Sequence, residues 1–233
     1  TVQLAVREAR RHNPSIEDSV FGFLERVLLL QTPVSEDERA EHERVALRFQ
    51  QLTGPVKAKA EEDTAFYRYN RLACLNEVGR NPGEFGGTID DFHAQNVERM
   101  RTWPLGMVTT STHDSKRGED TSARIAVLSE IPDVWRRSVR AFAAIAESVR
   151  STVDGDPAPS RSFEYLFYQT LVGVWPIGWD GMHDREAMTA RMLEFAFKAS
   201  KEAKQQTSWT SPDEAYESAV ASFVRTMMQR DPF

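Results

Sequence analysis

The densest run of reactive side chains in this sequence is Thr109-Thr110-Ser111-Thr112-His113-Asp114-Ser115-Lys116-Arg117-Gly118-Glu119-Asp120. An imidazole next to a carboxylate offers hydrogen bonds to hydroxyl groups and a negative charge for a developing positive one. Lys116 and Arg117 add fixed donors suited to a polyhydroxylated ligand. The block follows Met107-Val108-Thr109-Thr110, a short, partly β-branched run after a turn and the one strand that the sequence predicts. Side chains just past the C-terminal end of a strand are rigidly held while the loop beyond them varies, which is where catalytic groups collect in α/β barrels. A helix N-terminus with solvated charges would show the same residue types. His183-Asp184 repeats the dipeptide in a loop to which no role is given, so the dipeptide alone does not decide between the two.

A second constellation runs from Lys57 to Asn70 and includes Glu61-Glu62-Asp63-Thr64-Ala65-Phe66-Tyr67-Arg68-Tyr69. On a helix predicted over 56–75, Lys59, Glu62, Phe66 and Tyr69 share one face that mixes charge with aromatic rings. Such a face can line a sugar groove, because aromatic rings stack on the apolar side of a pyranose and charged groups bind its hydroxyls. An ordinary amphipathic helix with ion pairs and core aromatics has the same pattern. Asn76-Glu77-Val78-Gly79 ends this helix, with Gly79 as a left-handed cap. Trp103, Trp175 and Trp179 stand beside Pro or Gly at loop mouths, which suits either ligand stacking or core packing. The seven methionines are scattered through helical positions and read as core filler. His12, His42 and His93 read as surface or capping residues. No dinucleotide-binding glycine motif, phosphate loop or His-Glu-x-x-His motif occurs. No Cys/His cluster suggests a metal site, and no cofactor is expected.

The elements that must position these groups are mainly helices. Val2, Leu4, Val6 and Ala9 set a helical rhythm at once. Ser15 caps a run carrying Val20, Phe21, Leu24, Val27 and Leu28, and Ser35 caps another carrying Val45, Phe49 and Leu52. Gly54-Pro55 reads as punctuation before the 56–75 helix. Thr88 with Asp91 caps a short helix ending near Trp103. Helices resume from about Thr121 through Val149. The polar stretch Val153 to Ser160 reads as a mobile linker. Helices then occupy roughly 161–174, 184–204 and 212–229, the last with Ser211 as its cap and Pro212 in first position. The expected fold is therefore a multi-helix bundle with at most one or two short strands. Its parts are a helical subdomain over 1–106, a strand and polar loop over 107–120, and a second helical subdomain over 121–233. A lone strand cannot satisfy its backbone, and no partner for 107–110 is legible, so the rest of its sheet is expected outside this sequence. The first and last residues abut helices directly, which again suggests an internal piece of a larger protein.

Composition closes several other routes. The 233 residues carry 29 Lys+Arg against 35 Asp+Glu, a formal charge of −6, which argues against attachment to nucleic acid or anionic lipid. The longest apolar runs, such as Val27-Leu28-Leu29-Leu30, are too short to span a bilayer. Cys74 is the single cysteine, so no disulfide can form within the chain, and Asn13-Pro14-Ser15 is spoiled as a glycosylation site by its proline. No secretory signal is legible, and a cytoplasmic location is expected.

The segments Glu62-Asp63-Thr64-Ala65-Phe66-Tyr67-Arg68-Tyr69, Leu75-Asn76-Glu77-Val78-Gly79 and Thr110 to Asp120 resemble those of the maltooligosyltrehalose synthases, within the α-amylase family (glycoside hydrolase family 13). The resemblance continues through Ala123 to Glu130, Tyr168-Gln169-Thr170-Leu171 and Lys201-Glu202-Ala203-Lys204. It implies an intramolecular isomerase of trehalose biosynthesis, which turns the reducing-end α-1,4 linkage of a maltooligosaccharide into an α,α-1,1 linkage. Retaining chemistry of this kind needs a nucleophilic carboxylate and a carboxylic acid around an oxocarbenium-like transition state. By resemblance Asp114 is the family's third carboxylate, which stabilises that state, His113 is its hydrogen-bonding neighbour, and Lys116 holds the terminal glucose. Arg117, Glu62, Asp63, Tyr67, Arg68, Asn76 and Glu77 are the other substrate-binding residues it implies. Ala60 stands where the family commonly has glycine. The nucleophile's Gly-x-Arg-x-Asp motif is missing, since none of the 12 glycines has an arginine two residues on, and no Val-Glu-Lys segment for the acid is present. The implied arrangement is the helical insertion of a TIM-barrel enzyme with one barrel strand, inactive alone, whose partners are the remaining barrel and the maltooligosaccharide. The alternative is a free-standing, non-catalytic helical module that binds α-glucan or a protein.

Overall fold

A computed structural model describes residues 1–31, 33, 35–179 and 183–229. Backbone contacts divide the chain into two compact units, Thr1–Lys59 and the remainder from Ala60 onward. The described residues contain the helices α1 (Val2–His12), α2 (Asp18–Leu28), α3 (Glu36–Glu61), α4 (Ile89–Thr102), α5 (Glu119–Val127) and α6 (Pro132–Glu147). They continue with the strands β1 (Ser151–Val153) and β2 (Asp156–Ala158), and with α7 (Arg161–Val174), α8 (Arg185–Ala203) and α9 (Glu214–Gln229). The described residues are mainly α, with one two-stranded sheet.

The first unit is thin. Val6 of α1 is buried, as are Phe21 and Val27 of α2, and α3 buries Ala46. Ser35 caps α3, its hydroxyl accepting the Glu38 N–H at 3.1 Å. On α2 the N-cap is Glu17, not Ser15. The break expected at Gly54-Pro55 does not occur, and α3 runs through Pro55 to Glu61. Proline there costs one helical hydrogen bond and a steric clash, against which stand strong helix formers on the far side, Lys57-Ala58-Lys59-Ala60-Glu61.

In the second unit α7 is the axis. Phe163, Leu166, Phe167, Tyr168 and Leu171 are all buried on it, a helix covered on most of its circumference. Gly173 lets α5 approach closely: a methyl group there would lie 2.8 Å from the Thr121 methyl and 3.1 Å from Ile125. Helices α8 and α9 pack together through Met188, Met192, Ala196 and Ala199 on one side and Val220, Phe223, Val224 and Met227 on the other. Phe223 meets Phe167 edge-on, ring centres 5.6 Å apart. Four methionines, Met188, Met192, Met227 and Met228, thus fill core space, whereas Met100 and Met107 are exposed and do not.

The predicted capping box on α4 is present: Thr88 Oγ1 accepts the Asp91 N–H at 3.0 Å and Asp91 accepts the Thr88 N–H at 3.1 Å. Helix α9 starts two residues later than expected, with Asp213 rather than Ser211 accepting the Tyr216 N–H at 2.8 Å. Strand β2 and its turn lie where a linker was expected, and β1 enters that stretch at Val153. Asp154 and Gly155, at φ 51° and 89°, form the tight turn between β1 and β2, which pair antiparallel with Ser151 opposite Ala158. Asp-Gly is a strong hairpin signal because both central residues of that turn need positive φ. Conversely, the strand expected at Met107–Thr110 is absent, and this stretch is irregular. Among the described residues no other segment offers it a ladder, so its backbone has nothing to pair with.

Candidate functional site

The helix expected over 56–75 stops at Glu61, and tight turns at Ala65–Tyr67 and Ala73–Leu75 take its place. The face of Lys59, Glu62, Phe66 and Tyr69 therefore does not form. Buried side-chain amides satisfy the backbone instead. Asn76 donates to the carbonyls of Phe66 at 2.7 Å and Tyr69 at 2.8 Å. Gln169 of α7 accepts the Ala73 N–H at 2.7 Å and donates to the Asn70 carbonyl at 2.9 Å. Asn70 donates to the Ser162 hydroxyl at 3.0 Å. These bonds span up to 99 residues of sequence, and they hold an irregular segment against α7.

The loop before α5 is fastened to that segment by three consecutive devices. Lys116 reaches Asp63, its ammonium 2.9 Å from Oδ1, with both side chains mostly buried. The Lys116 N–H donates to both carboxylate oxygens of Glu77 at 2.9 and 3.2 Å, and Glu77 also accepts the Val78 N–H at 2.8 Å. Arg117 donates to the carbonyls of Ala73 at 2.9 Å and Asn76 at 3.5 Å. Burial pushes the Arg117 pKa below its ordinary value, an effect opposed by nearby Tyr67, Glu77 and Cys74. Burial also raises the Tyr67 phenol, with Arg117 opposing and Glu202 and Asp63 adding to the rise. Gly79 closes the stretch at φ 74°, the left-handed turn expected of it.

Within the loop, the Thr112 N–H donates to the Ser115 hydroxyl at 2.8 Å and Thr110 donates to Glu119 at 2.7 Å. His113 and Asp114 project from it, 90% and 71% exposed, with Nε2 and Oδ2 3.3 Å apart. The structure thus gathers Asp63, Tyr67, Asn76, Glu77, Lys116 and Arg117 into one cluster and leaves His113 and Asp114 at its solvent side. Glu62 is half-buried. Arg68 points elsewhere, donating to the carbonyls of Ala203 at 2.5 Å and Lys204 at 3.1 Å, where it closes the C-terminus of α8. Trp175 and Trp179 pack on each other, ring centres 4.5 Å apart, while Trp103 is exposed. The sequence reading gave no role to Gln169, although a lone amide in the apolar run from Leu166 to Leu171 signals a buried hydrogen-bonding duty. Among the described residues no group of His, Cys, Asp and Glu is arranged to hold a metal.

The Asp63–Lys116 pair makes a first prediction. Asp63→Asn should lower the unfolding free energy by about 1–2 kcal/mol, because it leaves a mostly buried ammonium without its charged partner. The urea midpoint measures this, and an unchanged midpoint would mean the pair does not fasten the loop.

Buried amides pin the irregular backbone, and onto it is fastened a polar loop whose His113 and Asp114 face outward. No family model matches the chain. A relative in Mycobacterium tuberculosis with maltooligosyl trehalose synthase in its name is 43% identical over 175 residues, which is 75% of this chain and 21% of that protein. The solved maltooligosyltrehalose synthase of Arthrobacter ramosus is 35% identical, with a TM-score of 0.74 over 100% of this chain and 26% of its own. A maltooligosyl trehalose synthase of Sulfolobus tokodaii, described as hypothetical, is 28% identical, with a TM-score of 0.69 over 97% of this chain and 32% of its own. The chain is therefore homologous to one segment of the maltooligosyltrehalose synthases. It spans about a fifth of the length of the curated relatives it matches.

Proposed function

We propose that this chain is the helical portion of an α-amylase-family isomerase that rearranges the reducing-end α-1,4 bond of a maltooligosaccharide to α,α-1,1, forming a trehalose end. The observation that carries this reading is the fastening of the 112–118 loop onto Asp63 and Glu77 while Asp114 and His113 face outward. In this reading Asp114 stabilises the oxocarbenium-like transition state and His113 binds ring hydroxyls beside it. Lys116, steered by Asp63, holds the terminal glucose as its anomeric hydroxyl turns to attack. Glu77, Asn76 and Arg117 shape the loop, and Glu62 and Tyr67 border it, while Arg68 is committed to the C-terminus of α8. The nucleophile and the acid come from barrel strands of the same polypeptide outside this sequence, and the 107–110 stretch pairs with one of them. No metal or cofactor is required, because two carboxyl groups and a third stabilising charge suffice for retaining glycosyl transfer. Among the described residues no helix is long and apolar enough to cross a membrane. We place the activity in the cytoplasm.

The test is to incubate maltopentaose with the longer polypeptide and with these 233 residues alone. The longer polypeptide should remove reducing ends while total glucose units stay constant, and the chain alone should leave the reducing signal flat. Loss of reducing ends by the chain alone would overturn the division of the acids. Net hydrolysis, or no change, with the longer polypeptide would overturn the rearrangement.

A further inference from the structure

A cavity with cationic and apolar walls, the latter from Val174, Met192 and Phe195, lies behind the fastened loop, where the N-terminus of α5 meets α7 and α8. Its volume is about 250 Å³, and Lys116, Arg117, Gly118, Thr170 and Arg191 are among its walls, with no carboxylate among them. The cations are not equally free. Lys116 is neutralised by Asp63. Arg117 is hydrogen-bonded to two carbonyls, which are neutral acceptors. A guanidinium withdrawn from water whose hydrogen bonds go only to neutral acceptors still attracts an anion, although here the Glu77 carboxylate lies nearby. Arg191 has no acidic partner among the described residues.

Two further features point to the same occupant. Thr170 is 6% exposed, and its Oγ1 has no hydrogen-bond partner, a rare and costly state for a buried hydroxyl. Helix α5, nine residues long, begins at Gly118 with no side-chain cap, and the space beside Gly118 is open. Its first-turn N–H groups and its dipole therefore favour negative charge there. The two acids of that turn, Glu119 and Asp120, are exposed, and Glu119 is held by Thr110.

We infer that this cavity binds a phosphate group, free or as a monoester, between Arg117, Arg191, the Thr170 hydroxyl and the N-terminus of α5. The site adjoins the glucan chemistry proposed above and shares Arg117 with it, and it adds two residues, Arg191 and Thr170, that take no part in that chemistry.

The experiment is calorimetric titration of the chain with inorganic phosphate, up to about 10 mM at constant ionic strength, with chloride as the control anion. Saturable binding is expected. Arg191→Ala should weaken it about tenfold or more and Thr170→Val about fivefold, the losses that go with a charged and a neutral hydrogen bond. Arg191 is exposed and the Thr170 change keeps the side-chain volume, so both variants should match the parent in circular dichroism and thermal melting. A second arm with a hexose monophosphate separates the sources: tighter binding than inorganic phosphate assigns the site to an ester, equal or weaker binding to the free anion. Absence of saturation in both arms would overturn the inference, and so would binding unaltered by either substitution. Because phosphate binding is the readout, such a failure leaves the rearrangement of maltooligosaccharides untouched.

Discussion

Asp114→Asn in the longer polypeptide should lower kcat by about a thousandfold or more while KM changes little. The amide keeps the size of the carboxylate and removes its charge, so what disappears is attraction to a positive charge that exists only in the transition state. One preorganised hydrogen-bond donor at a developing charge typically supplies about two to three orders of magnitude, and a full opposite charge in a closed site supplies at least as much. The structure makes the experiment clean. Asp114 is 71% exposed, and the contact of its carboxylate is with His113 at 3.3 Å, so stability should not move. A variant with unchanged melting and near wild-type turnover would remove Asp114 from the mechanism. A variant that melts early would show that the residue is structural instead.

The largest expected loss of stability lies elsewhere, at Glu164. Its carboxylate, on the first turn of α7, is 3% exposed, paired with Arg150, itself 6% exposed, and accepting the Tyr168 hydroxyl at 2.9 Å. Arg161 and Glu147 extend the cluster toward solvent. Burial alone would lower the Arg150 pKa, but hydrogen bonding to Glu164 and the charges of Glu164 and Glu147 reverse that and raise it. Tyr168 is pushed far above the ordinary phenol range, by burial first and then by the neighbouring carboxylate, so its proton stays in place as donor. Glu164→Ala would leave the buried Arg150 guanidinium with only the exposed Glu147 carboxylate, 3.1 Å away, and Tyr168 without its acceptor; removal of one partner from a buried pair costs about 3–5 kcal/mol. Urea denaturation should show that loss. The double variant Arg150→Met/Glu164→Leu should recover most of it, since replacing both charges by apolar groups is often neutral. A single variant as stable as the parent would mean that the cluster is not closed in solution.

Much of the fold was legible because its signals are local. Thr88 and Asp91 announce α4 by a reciprocal cap three residues wide. The starts of α7 and α8 fall within a residue of where apolar spacing puts them. What was not legible depended on distant partners. Nothing in Glu62 to Leu75 says that Asn76 and Gln169 will hold its backbone in turns, because Gln169 lies 96 residues from Ala73. The hairpin was missed for the opposite reason: Asp154-Gly155 is a specific local signal, but prolines and aspartates around it suggested a linker. The site divides the same way. The reactive types in 112–117 stand out in the sequence, whereas their fastening to Asp63 and Glu77, 53 and 39 residues away, is visible only in three dimensions.

The apolar stretch after α4 carries a practical consequence for anyone handling the chain. Leu105 is 96% and Met107 102% exposed, with Val108 at 66%, on backbone that has no ladder of its own. A bare, greasy ribbon of this kind is a template on which copies of the same molecule can zip together. Purified at high concentration, the chain would be sticky there first, and one lysine at position 107 would be the simplest remedy.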